Sequence, residues 1–143
     1  MIFDKQTLLS DGQAITADAP STNIIDLGAT GTPFGSAVAL VRDIGKGDCK
    51  VPLAIMVAAA FNNLTSLRLV LQVDNDPAFG SPKAVAERTY LLAELAGGML
   101  EFPDGFVEGT NERYVRLYYD ITGTAPTTGA ITAGVVAARQ TNF

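Results

Sequence analysis

The chain has 143 residues, a length that predicts one domain over residues 1–143. A hydrophobic share of 48% excludes a disordered chain, and the longest apolar run, Leu53–Phe61, is too short for a membrane span of roughly 20 residues. The net charge is −5 and the ten basic residues are scattered, which excludes the basic stripe that nucleic-acid binding requires. We therefore expect a soluble protein that binds neither nucleic acid nor membrane.

The sequence lacks the side chains on which much enzymatic chemistry depends. It contains no histidine, which removes the commonest general base and the commonest metal ligand. Cys49 is the only cysteine, so a metal site built on several cysteines is excluded. Although Lys50 beside it could activate the thiol, a small packed thiol is the preferred reading. We therefore expect a non-enzymatic protein with no cofactor and no bound metal.

Glycine and proline divide the sequence into short segments rich in aliphatic, β-branched and aromatic residues. Eight or nine such segments separated by turn signals are typical of an all-β sandwich or barrel. The predicted strands are Thr7–Ile15, Asn23–Leu27, Ala37–Ile44, Val51–Ala60, Leu67–Val73, Ala84–Leu92, Met99–Phe102, Tyr114–Ile121 and Ala130–Ala138.

Two of these strands show a clean period of two, which indicates one buried and one outer face. In Leu67–Val73 the odd-numbered residues are all apolar, and in Tyr114–Ile121 the odd-numbered residues again form the apolar side. The loop Thr122–Gly129 follows the second of them and contains proline and two glycines. We interpret Tyr114–Ile121 and Ala130–Ala138 as a terminal β-hairpin joined by this loop.

Three segments are harder to interpret. Leu53–Phe61 is apolar throughout, so a buried strand is preferred but a helix stays open. Ala84–Leu95 could make three helical turns, although Thr89-Tyr90 and the flanking glycine and proline favour a strand. Gly28–Ser36 predicts an ordered surface loop that Phe34 anchors.

An acidic cluster, Asp74-Asn75-Asp76-Pro77, follows the strand Leu67–Val73 and raises the question of a calcium site. An EF-hand loop starting at Asp74 would need glycine at its sixth position and glutamate at its twelfth, and the sequence has Phe79 and Val85 there. Asp, Asn and Pro are also the residues that build turns. We therefore interpret the cluster as a corner, with Pro77 and Phe79 folding back onto the sheet.

Other candidate sites are weaker. The glycines of GATGTPFG and the lysine of DIGKGD lack the spacing of dinucleotide or phosphate loops, and a hairpin turn is preferred for Asp43–Asp48. Glycoside hydrolysis would need a carboxylate pair, and four acidic residues could be considered for it. A solvated loop around FPDGF is the preferred reading. The four acidic residues are Glu94, Glu101, Asp104 and Glu108.

The outward side of Tyr114–Ile121 carries Tyr114, Arg116 and Tyr118, and tyrosine and arginine are enriched at protein interfaces. An interaction face and cross-strand packing under a loop are both open readings of this row. The N-terminal segment Met1–Leu9 is a second candidate contact, because Ile2 and Phe3 would be an unusual pair to leave in water.

Two long stretches, MIFDKQTLLSDGQAITADAPSTNIIDLG and RYVRLYYDITGTAPTTGAITAGVV, resemble small capsid cement (decoration) proteins of tailed double-stranded DNA phages. LRLVLQVDNDPAF fits the same pattern. The resemblance implies a jelly-roll-like antiparallel β-sandwich on the outer capsid surface of the virion. It implies a homodimer or other homo-oligomer, made in the host cytoplasm, that bridges major capsid proteins and carries out no chemistry. It transfers no site residues to this sequence.

The alternative is a carbohydrate- or receptor-binding β-sandwich of a phage tail or fibre. Sugar-binding surfaces are usually lined with aromatic platforms, and the sequence contains no tryptophan. The cement reading is therefore preferred.

Overall fold

The structure is a computed structural model that describes residues 2–48 and 50–139. It contains nine β-strands and a short 3₁₀-helix, Leu92–Leu95. Within the described ranges, no helix is long and apolar enough to cross a membrane. The strands are β1 (Phe3–Ala14), β2 (Ala19–Pro20), β3 (Ile25–Asp26), β4 (Leu53–Ala59), β5 (Leu64–Asp74), β6 (Lys83–Leu91), β7 (Gly98–Leu100), β8 (Tyr114–Gly123) and β9 (Ala130–Val136).

The strands form two antiparallel sheets. One sheet has the order β1-β9-β4-β7, and the other has the order β2-β8-β5-β6 with β3 also paired to β8. The pieces β2 and β3 act as one interrupted edge strand, because Ser21 between them exchanges two bonds with Leu117: its N–H donates to the Leu117 carbonyl (2.8 Å), and its Oγ accepts the Leu117 N–H (3.1 Å). Counted in this way, two four-stranded sheets in this order make a jelly roll.

Alternation along the central strands builds the core. Leu67, Leu69, Leu71 and Val73 on β5 are fully buried, as are the odd-numbered residues 115, 117 and 119 of β8. The opposite sheet contributes the inward side chains of β4, β9 and β7 to the same cluster. The predicted faces of both clean strands are therefore confirmed, and so is the all-β, jelly-roll-like sandwich of about nine strands.

The two ambiguous segments are mainly strands. β4 is apolar throughout because it lies between β9 and β7, with Ile55 buried inside the sandwich and Ala54 buried on the other face. β6 covers the first part of Ala84–Leu95, and the rest forms the 3₁₀-helix, whose Leu95 is fully buried.

Two predictions of secondary structure are wrong. The segment Ala37–Ile44 is not a strand, since it lies in a long irregular connection between β3 and β4. β8 and β9 do not form a hairpin: β8 lies between β5 and the β2–β3 edge, whereas β9 lies between β1 and β4 in the other sheet. Both sides of β8 are therefore already paired, and residues 124–129 carry the chain from one sheet to the other.

The jelly-roll connectivity sorts the loops into two groups at opposite ends of the strands. Residues 27–48, 50–52, 75–82 and 101–113 meet at one end, as shown by the bond from the Ile44 N–H to the Thr110 carbonyl (3.2 Å) and from the Arg113 N–H to the Asn75 side chain (3.2 Å). We call this the long-loop end. The connections 60–63, 92–97 and 124–129 lie at the other end, where the Phe61 N–H donates to the Leu95 carbonyl (3.1 Å).

Candidate interaction surfaces

The row Tyr114, Arg116 and Tyr118 lies on the outer face of β8, as the alternation predicts, and all three side chains are half-buried. The Arg116 Nε donates to Gln72 (2.8 Å), and the guanidinium carbon lies 4.1 Å from the centre of the Phe79 ring. Desolvation by these neighbours lowers the pKa of Arg116. Cross-strand packing under a loop thus describes much of this row, and its role as a partner contact stays a prediction.

Charged side chains surround that row on the same outer face. Arg68 pairs with Asp120 across β5 and β8 (3.2 Å) and with Glu87 across β5 and β6. Both pairs are half-exposed, so they contribute little to stability. We call the outer face of the sheet β2-β8-β5-β6 the charged face.

The outer face of the other sheet has a different composition. Three of its four strands, β4, β7 and β9, contain no charged residue, whereas the edge strand β1 carries the exposed Asp4, Lys5 and Asp11. The outward positions of β4, β7 and β9 carry small or apolar side chains, with Ala58 exposed and Met56, Met99 and Thr132 half-buried. We call this surface the uncharged face. Its accessible members are Met56, Ala58, Met99 and Thr132, and the outward positions Ala54, Gly134 and Val136 are buried within the chain.

The N-terminal candidate lies along the edge of the same sheet. β1 begins at Phe3, which is half-buried and pairs with Val136, while Ile2 is 73% exposed. Met1 lies outside the described residues. The prediction that Ile2 and Phe3 contact a partner is therefore compatible with their positions but stays a prediction.

The acidic cluster after β5 is a corner held by its own backbone. The Asp74 carboxylate accepts the N–H groups of Asp76 (3.0 Å) and Ser81 (3.0 Å), and the Asp76 carboxylate accepts that of Ala78 (2.9 Å). The bond from the Asp76 N–H is the main reason that the pKa of Asp74 is lowered. Phe79 is buried at 6% exposure, so it folds back onto the sheet as the sequence predicts, whereas Pro77 is exposed and the prediction is wrong for it.

The acidic residues considered for glycoside hydrolysis have different surroundings. Glu94 lies in the connection 92–97, where it accepts the Leu91 N–H (2.8 Å). Asp104 lies at the long-loop end and pairs with Lys50, whose hydrogen bond lowers the pKa of Asp104. The prediction of a solvated FPDGF loop is wrong, because Phe106 packs into the core at 3% exposure. Among the described residues, no group of three or more Asp, Glu, Cys or His could hold a metal ion.

The most exposed apolar segment was not recognised in the sequence. Residues 29–41 are all exposed, and we call this segment the apolar arm. Phe34 is 109% exposed, Val41 93%, Val38 70% and Leu40 59%. The expectation that Phe34 anchors this loop is therefore wrong. The signal available in the sequence was the absence of any charged residue from Leu27 to Val41.

The residues at the base of the apolar arm, near Gly28 and Asp43, are held by hydrogen bonds, although the arm itself is exposed. The Leu40 N–H donates to the Gly31 carbonyl (2.9 Å), and Arg42 bonds to the Gly28 carbonyl. The Asp43 carboxylate accepts the Gly109 N–H (2.9 Å), which ties the base to the loop 101–113. Asp43–Asp48 makes a turn, with the Lys46 N–H donating to the Asp43 carbonyl (3.2 Å), but no hairpin. Cys49 lies outside the described residues.

The two sheets and their strand order define the chain as a jelly-roll β-sandwich with long loops at one end. The sequence model of the Bbp16 family matches residues 9–139. The chain therefore belongs to the Bbp16 family, which is phage-related. A search of curated proteins found no match to the chain.

Proposed function

We propose that this protein is a capsid cement protein, a non-enzymatic structural component on the outer surface of a phage virion. Its partner is the major capsid protein, and it acts as a homodimer or other homo-oligomer that bridges neighbouring capsid subunits. The host cytoplasm is the place of synthesis. Membership of the Bbp16 family and the jelly-roll sandwich support this proposal.

The contrast between the two outer faces carries the proposal. Beside the row Tyr114, Arg116 and Tyr118, the charged face carries the half-exposed pairs of Arg68 with Glu87 and Asp120, a composition typical of surface that stays in water. The uncharged face exposes alanine, methionine and threonine, and charged residues are depleted at the cores of protein interfaces. A sandwich with one charged outer face, and with no charge on strands β4, β7 and β9 of the other, fits a protein that lies flat against another protein.

Mass action explains how such binding would reinforce a shell. A ligand that binds only the expanded form of the shell stabilises that form by about 2.7 kcal/mol per site when its concentration is 100 times its Kd. Many copies on one shell multiply this effect without requiring a tight individual contact. A standard interface of about 800 Å² per partner is within reach of one sheet face.

The direct test uses shells assembled and expanded without this protein. We expect the purified protein to co-sediment with expanded shells and to raise the temperature at which they disassemble. Binding to isolated glycans without binding to shells would instead support the alternative receptor-binding role. Failure to sediment with expanded shells at micromolar concentration would contradict the proposal.

A matched pair of variants tests the uncharged face. Ala58 and Ala84 are both exposed alanines in strands, and Ala84 pairs with Gln72, whose side chain lies on the charged face. Ala58→Glu places a charge on the uncharged face, and burying an unpaired charge is costly. We expect Ala58→Glu to weaken shell binding strongly and Ala84→Glu to leave it unchanged. Equal binding by the two variants would remove the uncharged face from the proposal.

A further inference from the structure

The apolar arm exposes more large apolar side chains than the rest of the described surface. Seven large apolar side chains are exposed in residues 2–48 and 50–139, and four of them belong to this segment of thirteen residues. Ile2, Ile24 and Leu91 are separate from it in the sequence and in the strand order. Grouped exposed apolar residues mark interaction sites, whereas scattered ones need no explanation.

We propose that the apolar arm inserts into an apolar pocket with a basic rim on the major capsid protein. This inference rests on the proposed function and names the contact by which the protein would be held. Phe34 is the central anchor: a buried aromatic side chain contributes about 150–250 Å² to an interface, a substantial part of the roughly 800 Å² that each partner of a standard complex buries. Val38, Leu40 and Val41 extend the same apolar surface.

Hydrogen bonds at the base of the arm lower the entropic cost of inserting it into a partner. A loop that is disordered before binding must lose its conformational entropy on binding, which weakens the complex. Here the bonds of Asp43 to Gly45 (3.2 Å) and Gly109 (2.9 Å) hold the base before any partner arrives. Gly45 packs so closely that a Cβ atom there would overlap the carbonyl group of Val107. The arm is therefore presented in a defined position, and only its tip has to adapt.

The net charge of the long-loop end, which comes from the loops 75–82 and 101–113 that flank the arm's own loop, argues against a second copy of this chain as the occupant. The three loops of the long-loop end, residues 27–52, 75–82 and 101–113, contain seven acidic and four basic residues, a net charge of −3 out of −5 for the whole chain. Two copies that met through their arms would bring these acidic ends together, and like-charge juxtaposition is unfavourable. A complementary partner instead has basic side chains around the pocket that receives the arm.

Two parts of the described surface also offer poor chemistry for receiving the arm of another copy. An open groove runs beside β1 and the β2–β3 link, and four of its six lining residues are polar or charged. The uncharged face consists mainly of small side chains on a regular sheet, which is suited to flat contact and not to enclosing a phenyl ring. The residues that line the groove are Lys5, Gln6, Leu8, Thr22, Asn23 and Ile24.

The test measures binding of the full chain to expanded shells that lack it. The variant Phe34→Ser/Val38→Ser/Val41→Ser changes only exposed side chains, so we expect its unfolding midpoint to match that of the wild type. Loss of a central interface anchor typically weakens binding by at least about 30-fold. We expect a loss of that size, together with an unchanged oligomeric state of the unbound protein in size-exclusion chromatography with light scattering.

A single-residue control separates the arm from exposed apolar surface in general. Leu40 in the arm and Leu91 at the end of β6 are each 59% exposed. We expect Leu40→Ser to weaken shell binding several-fold and Leu91→Ser to leave it unchanged. We also expect wild-type binding to weaken as salt increases, because salt screens the attraction between the acidic end and a basic rim.

The outcomes distinguish this inference from the proposed function. If the wild type does not bind expanded shells, both are overturned. If the wild type binds and the triple variant binds equally well, the arm inference is overturned and the cement function stands. A changed oligomeric state in the triple variant would make a second copy the occupant, and wild-type binding that does not weaken with salt would exclude the basic rim; either result overturns the inference.

Discussion

The hydrogen bond between Ser10 and Tyr119 gives a sharp test of how the two sheets are joined. Ser10 lies on β1 and Tyr119 on β8, both are fully buried, and their oxygens are 2.7 Å apart. The Ser10 hydroxyl donates to the Gln13 side-chain carbonyl (2.7 Å), so the Tyr119 hydroxyl must donate to Ser10. Burial raises the pKa of Tyr119 well above its usual value, which keeps this donor protonated at neutral pH.

The direction of donation predicts an unequal effect of the two deletions. Tyr119→Phe removes one donor and leaves Ser10 bonded to Gln13, so the free energy of unfolding should fall by about 1 kcal/mol. Ser10→Ala leaves the buried Tyr119 hydroxyl without a partner and should cost about 1–3 kcal/mol, although it removes only one atom. The double variant should be no less stable than Ser10→Ala, since the unpaired hydroxyl is then gone.

Urea unfolding followed by fluorescence or circular dichroism measures these differences. With a slope of about 2 kcal/mol per M, Tyr119→Phe should shift the midpoint by about 0.5 M and Ser10→Ala by about 1 M. The slope itself should not change, since the folded core is the same. If Tyr119→Phe proves more destabilising than Ser10→Ala, the assigned direction of the hydrogen bond is wrong.

Three further changes have defined outcomes. Gly45→Ala should lower the free energy of unfolding by about 1–3 kcal/mol, because the new Cβ atom has no space. Gly31→Ala should be neutral, because no atom lies near the position of its Cβ. Calorimetry measures both, and equal melting points of the two variants would contradict this interpretation. The Arg113 guanidinium donates two hydrogen bonds to the Asp26 carboxylate and is the main reason that the pKa of Asp26 falls from 3.8 to about 2. Asp26 therefore stabilises the fold above pH 3.8 and loses this effect as the pH falls towards 2. Asp26→Asn should lose less stability than the wild type across that range in urea titrations, and parallel curves would argue against this. Phe79→Leu should destabilise the fold by about 1 kcal/mol, because it removes the ring that lies against the Arg116 guanidinium. In a double-variant cycle with Arg116→Met, the two changes in the free energy of unfolding should not be additive, and strict additivity would contradict the contact.

Alternation of apolar and polar residues was sufficient to predict the strands that have one buried and one outer side. The faces of β5 and β8 follow from alternation alone, because their inward residues line a single core. β4 could be placed by its boundaries, with Pro52 before it and Asn62 after it, even though its composition allows a helix. The corner after β5 was predictable because aspartate, asparagine and proline stabilise turns through short-range bonds.

Pairing between distant strands was not predictable in the same way. Ala37–Ile44 has the composition of a strand, but a strand needs a partner strand. The eight residues themselves do not show whether a partner strand is available. The loop between β8 and β9 is long enough either to close a hairpin or to cross between sheets, so its length does not decide. The two-residue β2 contains Pro20 and is recognised only through its pairing with Tyr118 and Tyr119 on β8.

The candidate surfaces were predicted unevenly for a related reason. Tyr114, Arg116 and Tyr118 were placed correctly on the outer side of their strand, but the stacking of Phe79 against Arg116 depends on a loop from another part of the chain. The exposure of the apolar arm was missed because composition alone does not distinguish a covered loop from an uncovered one. Only the absence of charge from Leu27 to Val41 pointed to it.

The pairing of β1 with β9 has a consequence for synthesis on the ribosome. Contacts such as that from the Gly12 N–H to Thr132 join positions 120 residues apart, and within the described residues β9 is the only strand that pairs with β1. At translation speeds of about 5–20 residues per second, β1 waits roughly 6–24 seconds for its neighbour. Its polar sequence, FDKQTLLSDGQA, suits that delay, because charged and polar side chains discourage a nascent strand from aggregating with other chains before its neighbour has been made.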